Sequence, residues 1–154
     1  IICVSNTWHR VSDKFMAGID LPLLHIVDPT GEAIREQGLK TVALLGTKAT
    51  MSSPYMPTML STQFGLSVIV PSEEQQDLID GVIFNELSQA QFTAASRDAY
   101  LRIIDDLVAR GSEGVILGCT EIPLLVSQDD RPHIPMFDTV RLHARAAAMK
   151  AIHG

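Results

Sequence analysis

The sequence predicts an α/β fold built around a parallel β-sheet. Short apolar runs bounded by turn residues alternate with longer segments whose apolar residues recur at helical spacing, and this alternation is typical of βαβ units. The chain has 154 residues, which suffices for one good core but is too short for two independent domains of ordinary size. A composition of 46% hydrophobic and 19% charged residues indicates a globular chain.

Each element is predicted from its own local pattern. Strands are predicted where apolar runs are short, at residues 1–4, 23–27, 41–45, 66–70, 115–117 and 136–137. Helices are predicted at residues 30–37, from the turn at 46–50 to about 63, and at 73–86, 93–109 and 141–152. Gly38, Gly65 and Gly111 end three of these helices, because glycine adopts the left-handed conformation that closes a helix. Pro54 and Pro57 predict irregular first turns in the second helix.

Charge and hydropathy exclude several classes of function. The net charge is -6, with no run of Lys or Arg and few aromatic residues, so we expect no nucleic-acid partner. The apolar stretches are far shorter than the roughly 18 residues needed to cross a bilayer, and no signal segment opens the chain. We therefore expect a cytoplasmic protein with no membrane partner. Because the chain opens without Met, inside an apolar run, we also expect an upstream segment to be absent.

Two segments place a nucleophilic side chain at the end of a predicted strand. Run 1–4 is followed by Ser5, Asn6 and Thr7. Run 115–117 is followed by Gly118, Cys119 and Thr120. Open α/β sheets bind ligands at the carboxyl ends of their strands. The alternative interpretation, which stays open here, is two ordinary strand ends whose Asn and Thr cap helices.

Cys119 is the candidate catalytic residue among the side chains at these strand ends. A helix starting just after Cys119 would favour its thiolate through the positive end of the helix dipole. A lone cysteine is, however, most often a small buried hydrophobe. That second interpretation is the one we adopt for Cys3, which lies within a predicted strand. The two cysteines form no disulfide framework and have no companion at metal-ligand spacing, so we expect reduced thiols and no metal site.

A third segment predicts a site for a carboxylate or a phosphate. Strand 41–45 leads through Gly46 into a helix start that carries Thr47 and Thr50, which combines backbone N–H donors with two hydroxyls. The spacing matches neither a Walker loop nor a dinucleotide fingerprint. No lysine has a context that marks it as a Schiff-base residue, so we expect no cofactor. His9 and His25 are interpreted as structural histidines rather than as groups that orient a catalytic residue.

Taken together, these segments resemble the signature segments of the aspartate/glutamate racemase family. The resemblance lies in residues 5–9, 24–28, 46–51 and 118–122, in that order and at similar spacing, and it covers nearly the whole chain. It implies two similar parallel-sheet α/β lobes related by a pseudo-twofold axis, with the active site in the cleft between them. The first lobe is then incomplete in this chain: residues 1–40 are its remainder, 41–126 the second lobe, and 127–154 return to the first lobe with a C-terminal helix.

The resemblance also implies a reaction and a set of site residues. Family members are commonly homodimers that need no pyridoxal phosphate, and they use two cysteines on opposite faces of the α-carbon of a dicarboxylic amino acid, aspartate or glutamate. Cys119 matches the second cysteine, while Ser5 stands where the family usually has the first. Five further residues match family positions that are expected to hold the substrate carboxylates and line the pocket. They are Asn6, Thr7, Thr47, Thr50 and Thr120.

The Ser5 departure leads to a specific hypothesis. A hydroxyl is far less acidic than a thiol. We therefore expect Cys119 to abstract the proton of one enantiomer readily, whereas the reverse reaction through Ser5 is slow. Because the pocket is incomplete, we also expect the 154-residue chain alone to be poorly folded or inactive.

Two alternatives to a racemase remain open. One is a single-cysteine decarboxylase or cis-trans isomerase of the same superfamily, because one thiol suffices to protonate a carbanion or attack a double bond. The other is a non-catalytic carboxylate-binding relative in which Ser5 marks lost catalysis.

Overall fold

One four-stranded parallel sheet organises the protein, as seen in a computed structural model that describes residues 1–153. Its strands are β1 (Thr41–Leu45), β2 (Ser67–Ile69), β3 (Val115–Leu117) and β4 (Met136–Asp138), and their order across the sheet is β2-β1-β3-β4. All neighbouring strands are parallel, and the central pair sets Ala43 opposite Val115. The predicted α/β class is therefore confirmed, whereas the division into two lobes stays a prediction.

All five predicted helices are present, and two short helices, at Ser12–Phe15 and Ile122–Leu125, are found in addition. The helices are α1 (Ser12–Phe15), α2 (Val27–Glu36), α3 (Lys48–Met51), α4 (Tyr55–Phe64), α5 (Glu73–Asn85), α6 (Ala94–Ala109), α7 (Ile122–Leu125) and α8 (Thr139–His153). Short 3₁₀ helices lie at Trp8–Val11, Leu87–Gln89 and Gln128–Asp130. Gly38, Gly65 and Gly111 all have positive φ, in agreement with their predicted role as helix stops. Within residues 1–153, no helix has the length and apolar character needed to cross a membrane.

Two helix predictions need adjustment, and proline accounts for both. The helix predicted at 30–37 already begins at Val27. Pro29 lies in its first turn, where backbone N–H groups have no partner within the helix, so the N–H that proline lacks is not needed there. The helix predicted to end near 63 is split into α3 and α4, and Pro54 stands at the start of α4.

The predictions of strands at 1–4 and 23–27 are wrong. These segments share one isolated parallel bridge, Ile2 with Leu24, and one further backbone bond from Leu24 N–H to the Ile1 carbonyl, 2.9 Å long. A strand needs a continuous ladder of partners, and this pair of segments forms none. Val4 is 61% exposed, so the first run contributes little to the core. The second run is apolar because its last residues belong to the buried start of α2.

The core lies on both faces of the sheet. Alternate residues of β1 and β3 point to opposite sides, as the pleat requires. One face packs on α5 and α6, through Ala43, Leu45, Val115, Leu117, Ile79, Tyr100 and Ile104. The other face packs on α2 and α4, through Val42, Leu44, Ile116, Ile26, Ile34, Met56 and Leu60. Burial on both faces holds β1 and β3 rigidly, so the loops at their carboxyl ends start from fixed positions.

Candidate active site

A cavity of about 220 Å³ opens where β1 and β3 end. It is lined by Val4, Ser5, Asn6, Thr7, Thr47, Gly118, Cys119, Thr120 and Glu121. Gly118 lets the two strand ends approach each other, since its N–H donates to the Leu45 carbonyl at 2.7 Å and an added Cβ would lie 2.8 Å from that oxygen. The close approach brings the turn after β3, with Cys119, beside the turn after β1, with Thr47.

Six of the seven predicted site residues line this one cavity, and the seventh supports them. Thr50 is buried and its hydroxyl lies 3.0 Å from that of Thr7 and 3.1 Å from that of Thr47. Three hydroxyls from two distant segments therefore form a connected network at the cavity wall. Hydroxyl groups rotate to donate or accept, so this network can adapt to an anionic ligand.

The backbone at the start of α3 differs from the expected anion site. The Lys48 N–H donates to the Asp80 carboxylate at 2.6 Å, and the N–H groups of Thr50 and Met51 both donate to the Thr47 carbonyl. The Lys48 side chain pairs with Asp77. Three of the backbone N–H groups at this helix start are therefore already paired, and the hydroxyls of Thr47 and Thr50 are further donors; carboxylate binding here stays a prediction.

Cys119 is paired with a carboxylate of its own motif, Glu121, for which no role was predicted. Its thiol donates to Glu121 Oε2 at 3.0 Å. Burial, followed by the hydrogen bond to Glu121, raises the pKa of Cys119 to about 12. Burial also acts to raise the pKa of Glu121, but the hydrogen bonds from Cys119 and Thr120 outweigh it and hold that pKa below its usual range. Glu121 is therefore ionised beside a protonated thiol.

The predicted acidification of Cys119 is wrong for this arrangement. The helix that follows, α7, has only four residues, and Glu121 is its N-cap. A carboxylate placed between the thiol and a short helix dominates over the weak dipole of that helix. The spacing of two residues between Cys119 and Glu121 was the available signal, since it allows both side chains to meet in one turn.

Asn6 is held from the far end of the chain. Its Nδ2 donates to Thr139 Oγ1 at 2.9 Å, and Thr139 Oγ1 donates to the Leu117 carbonyl at 3.1 Å. Thr139 is fully buried and begins α8. No local pattern in the sequence singles out Thr139, because its contact with Asn6 spans 133 positions.

Three histidines lie behind the segment that carries Ser5 and Asn6, outside the cavity lining. His9 has no exposed surface, donates from Nε2 to the Cys3 carbonyl at 2.7 Å, and packs edge-on against His25, with ring centroids 4.4 Å apart, and against His143, at 5.6 Å. Burial lowers the pKa of His9 to about 4, so its ring is neutral near pH 7. This geometry agrees with the structural interpretation of His9 and His25. Cys3 also lies outside the lining of the cavity. It is half-buried, and it does not lie in a strand, contrary to its prediction.

The cavity thus offers one thiol, several hydroxyls, an amide and a single carboxylate. Such groups suit a small polar ligand and proton transfer. Among residues 1–153, no cluster of three His, Cys, Asp or Glu side chains has a geometry that could hold a metal ion.

Comparisons with known proteins point to one family. A family model described as Asp/Glu/Hydantoin racemase matches residues 1–147. The chain is similar to a crystal structure described as "a putative Asp/Glu Racemase" from Yersinia pestis, with 41% identity, a TM-score of 0.92, and coverage of 99% of this chain and 66% of that one. It is also similar to an aspartate racemase homologue from Pyrococcus horikoshii OT3, with 34% identity, a TM-score of 0.88 and the same coverages.

A curated relative gives the same result. A glutamate racemase from Sulfurihydrogenibium sp. is 30% identical over 151 residues, which cover 90% of this chain and 53% of the relative. The chain therefore spans between 53% and 66% of the length of these three relatives.

Proposed function

The chain belongs to the Asp/Glu/hydantoin racemase family, and from this premise we propose that the complete protein racemises an acidic amino acid, aspartate or glutamate, without a cofactor. The observation that carries the proposal is the single cavity in which Ser5 and Cys119 meet a group of threonine hydroxyls. The chain covers only 53% to 66% of the relatives quoted above, so the activity is assigned to the complete protein.

The proposed reaction is a proton exchange at the α-carbon. The Cα–H bond breaks, its proton passes to a base on one face, and the electron pair delocalises into the adjacent carboxylate. An acid then delivers a proton to the opposite face. We assign Cys119 to one face and Ser5 to the other. The hydroxyls of Thr7, Thr47 and Thr120 would donate to the substrate carboxylates, with Thr50 orienting the first two.

The protonation state of Cys119 sets the starting point of this reaction. With a pKa of about 12, Cys119 rests as a thiol and is ready to donate a proton. To act as a base it must first pass that proton to the carboxylate of Glu121, which accepts its hydrogen bond, and a substrate ammonium group near the sulfur would favour the thiolate by direct charge attraction. Glu121 accepts the thiol hydrogen bond and holds the sulfur in place.

The test is solvent-deuterium incorporation at the α-carbon, measured for each enantiomer of aspartate and glutamate with the complete protein. We expect unequal initial rates for the two enantiomers, because a thiol faces one side and a hydroxyl the other. Cys119→Ala should lower the faster rate by about 10²- to 10⁴-fold. Cys3→Ser is the matched control, since Cys3 lies outside the cavity lining, and it should leave the rates unchanged. Equal rates from both enantiomers, or full exchange in Cys119→Ala, would contradict the proposal.

One observation favours a second candidate function. A protonated Cys119, with no second thiol lining the cavity within residues 1–153, suits a decarboxylase, in which Cys119 only needs to protonate a carbanion left by loss of CO₂. Assays with arylmalonate, maleate and aspartate separate the candidates, because only the racemase exchanges the α-proton of an amino acid. A non-catalytic relative would bind the ligand equally well with or without the Cys119 thiol and would show no turnover.

A further inference from the structure

We propose that Thr139 is a positioning residue that determines which end of the Asn6 side-chain amide is presented to the ligand. This inference rests on the proposed function, because it assigns Asn6 to the ligand cavity. Thr139 itself is fully buried and is absent from the cavity lining, so it acts through Asn6 rather than by touching the ligand.

The direction of the hydrogen bonds follows from one backbone carbonyl. Leu117 O has no proton to give, so the Thr139 hydroxyl must donate its only proton to it, across 3.1 Å. The hydroxyl oxygen is then left as an acceptor for Asn6, at 2.9 Å. Only the Nδ2 end of an amide can donate, so that end of Asn6 faces Thr139.

The other end of the amide is thereby fixed as an acceptor. Asn6 Oδ1 is buried and has no hydrogen-bond partner among residues 1–153. A buried carbonyl oxygen without a donor is unfavourable, so a ligand N–H that reaches it gains a hydrogen bond at little further desolvation. Because Asn6 lines the cavity, we assign its Oδ1 to an N–H group of the ligand, such as an ammonium, rather than to the carboxylate that the family resemblance implied.

Thr139 also connects the two sides of the cavity. Leu117 is the last residue of β3 and directly precedes Gly118 and Cys119. The Thr139 hydroxyl therefore contacts both the side chain of Asn6 and the end of the strand that leads to Cys119. Its own place is fixed by Asp138, whose carboxylate accepts the N–H groups of Val140 and Arg141 at 3.0 Å each and so caps α8.

The test compares three variants of the complete protein. Thr139→Val has the same shape without the hydroxyl and leaves both of its partners unpaired, so we expect kcat/KM for α-proton exchange to fall by about 10- to 100-fold. Thr139→Ser keeps the hydroxyl and should restore kcat/KM to within about threefold of the wild-type value. Thr30→Val is the matched control, because Thr30 is 1% exposed, donates to the Ile26 carbonyl at 2.9 Å and lies in α2, outside the cavity lining. It should lose stability but keep the wild-type kcat/KM.

A double-mutant cycle separates positioning from a purely structural role. If Thr139 acts through Asn6, then adding Thr139→Val to Asn6→Ala should change kcat/KM by no more than about twofold. An equal loss in both backgrounds would overturn the inference, as would wild-type kcat/KM in Thr139→Val.

A second readout does not depend on activity. The Asn6 side-chain NH₂ pair in a ¹⁵N-correlated spectrum should shift and exchange faster with solvent in Thr139→Val, but not in Thr139→Ser or Thr30→Val. Unchanged NH₂ signals in Thr139→Val would overturn the inference. Failure of the wild type to exchange the α-proton, with the NH₂ signals behaving as expected, would instead refute the proposed function and leave the placement of Asn6 intact.

Discussion

Replacing Glu121 by Gln should make the Cys119 thiol more acidic. The substitution keeps the shape of the side chain but removes the charge that lies 3.0 Å from the sulfur and accepts its proton. A hydrogen bond to a charged group contributes about 1.5–3 kcal/mol, and 1.36 kcal/mol corresponds to about one pKa unit. The pKa of Cys119 should therefore fall from about 12 by about 1 to 2. It stays above the ordinary thiol value because burial, the larger cause, remains.

Thiol–disulfide exchange with an aromatic disulfide reagent measures this change at one moderately alkaline pH. The thiolate fraction rises about 10- to 100-fold, but thiolate nucleophilicity falls with pKa with a coefficient of about 0.4–0.5, so the net rate increase is about 3- to 15-fold. The Cys119→Ala variant measures how much Cys3 contributes to the reaction rate, and mapping of the labelled peptide shows which cysteine has reacted. Glu74→Gln, which removes an exposed carboxylate from α5, is the control for net charge.

An unchanged or slower reaction of Cys119 in Glu121→Gln would refute the reasoning. It would mean that Glu121 does not stabilise the protonated thiol. A similar acceleration in Glu74→Gln would show that the effect comes from net charge rather than from the contact.

Two further predictions concern stability. Acidification from about pH 6.5 to pH 4 should destabilise the fold, because the pKa of His9 is lowered to about 4 and the unfolded state then binds more protons. His9 contributes about 3 kcal/mol of this loss at most. His25, whose pKa burial also lowers, adds to the loss, whereas Asp28, whose pKa burial raises, offsets part of it. Urea midpoints in His9→Phe should therefore depend less on pH over this range. Gly118→Ala should cost about 1–3 kcal/mol in thermal or urea unfolding, because its Cβ would lie 2.8 Å from the Leu45 carbonyl. Gly81→Ala, with 3.8 Å of clearance inside α5, should be neutral or stabilising, and equal losses in both variants would contradict the argument.

Local patterns predicted the elements that depend on local physics. The helices α5 and α6 were predicted within two residues from their apolar periodicity, and the structure shows that Ser72 and Thr93 cap them. The strands β1 and β3 were predicted because burial on both faces demands continuous apolar runs. The same rule failed at 1–4 and 23–27, since an apolar run does not reveal whether a neighbouring strand is available to it.

For the candidate site, too, local sequence features were predicted, whereas features that depend on distant residues were not. Ser5 and Cys119 were identified as site residues because they lie just after the ends of apolar runs, and they line one cavity. The raised pKa of Cys119 could not be predicted, because burial by distant side chains is its main cause. Thr139 was missed because only the folded chain brings it to Asn6.

The central strand pair has a consequence for how the protein assembles. Ala43 meets Val115 at a sequence separation of 72, counted as 115 minus 43, so β1 gains its inner neighbour only after a long loop has been closed. Pairings of such long range slow folding relative to local ones, since the entropy of closing the loop is lost before any contact compensates for it. During synthesis, β1 can pair with β2 first, and its other edge stays unpaired until β3 leaves the ribosome. Over that interval the nascent chain exposes a buried-type strand edge, and this is the stage at which a chaperone would be needed most.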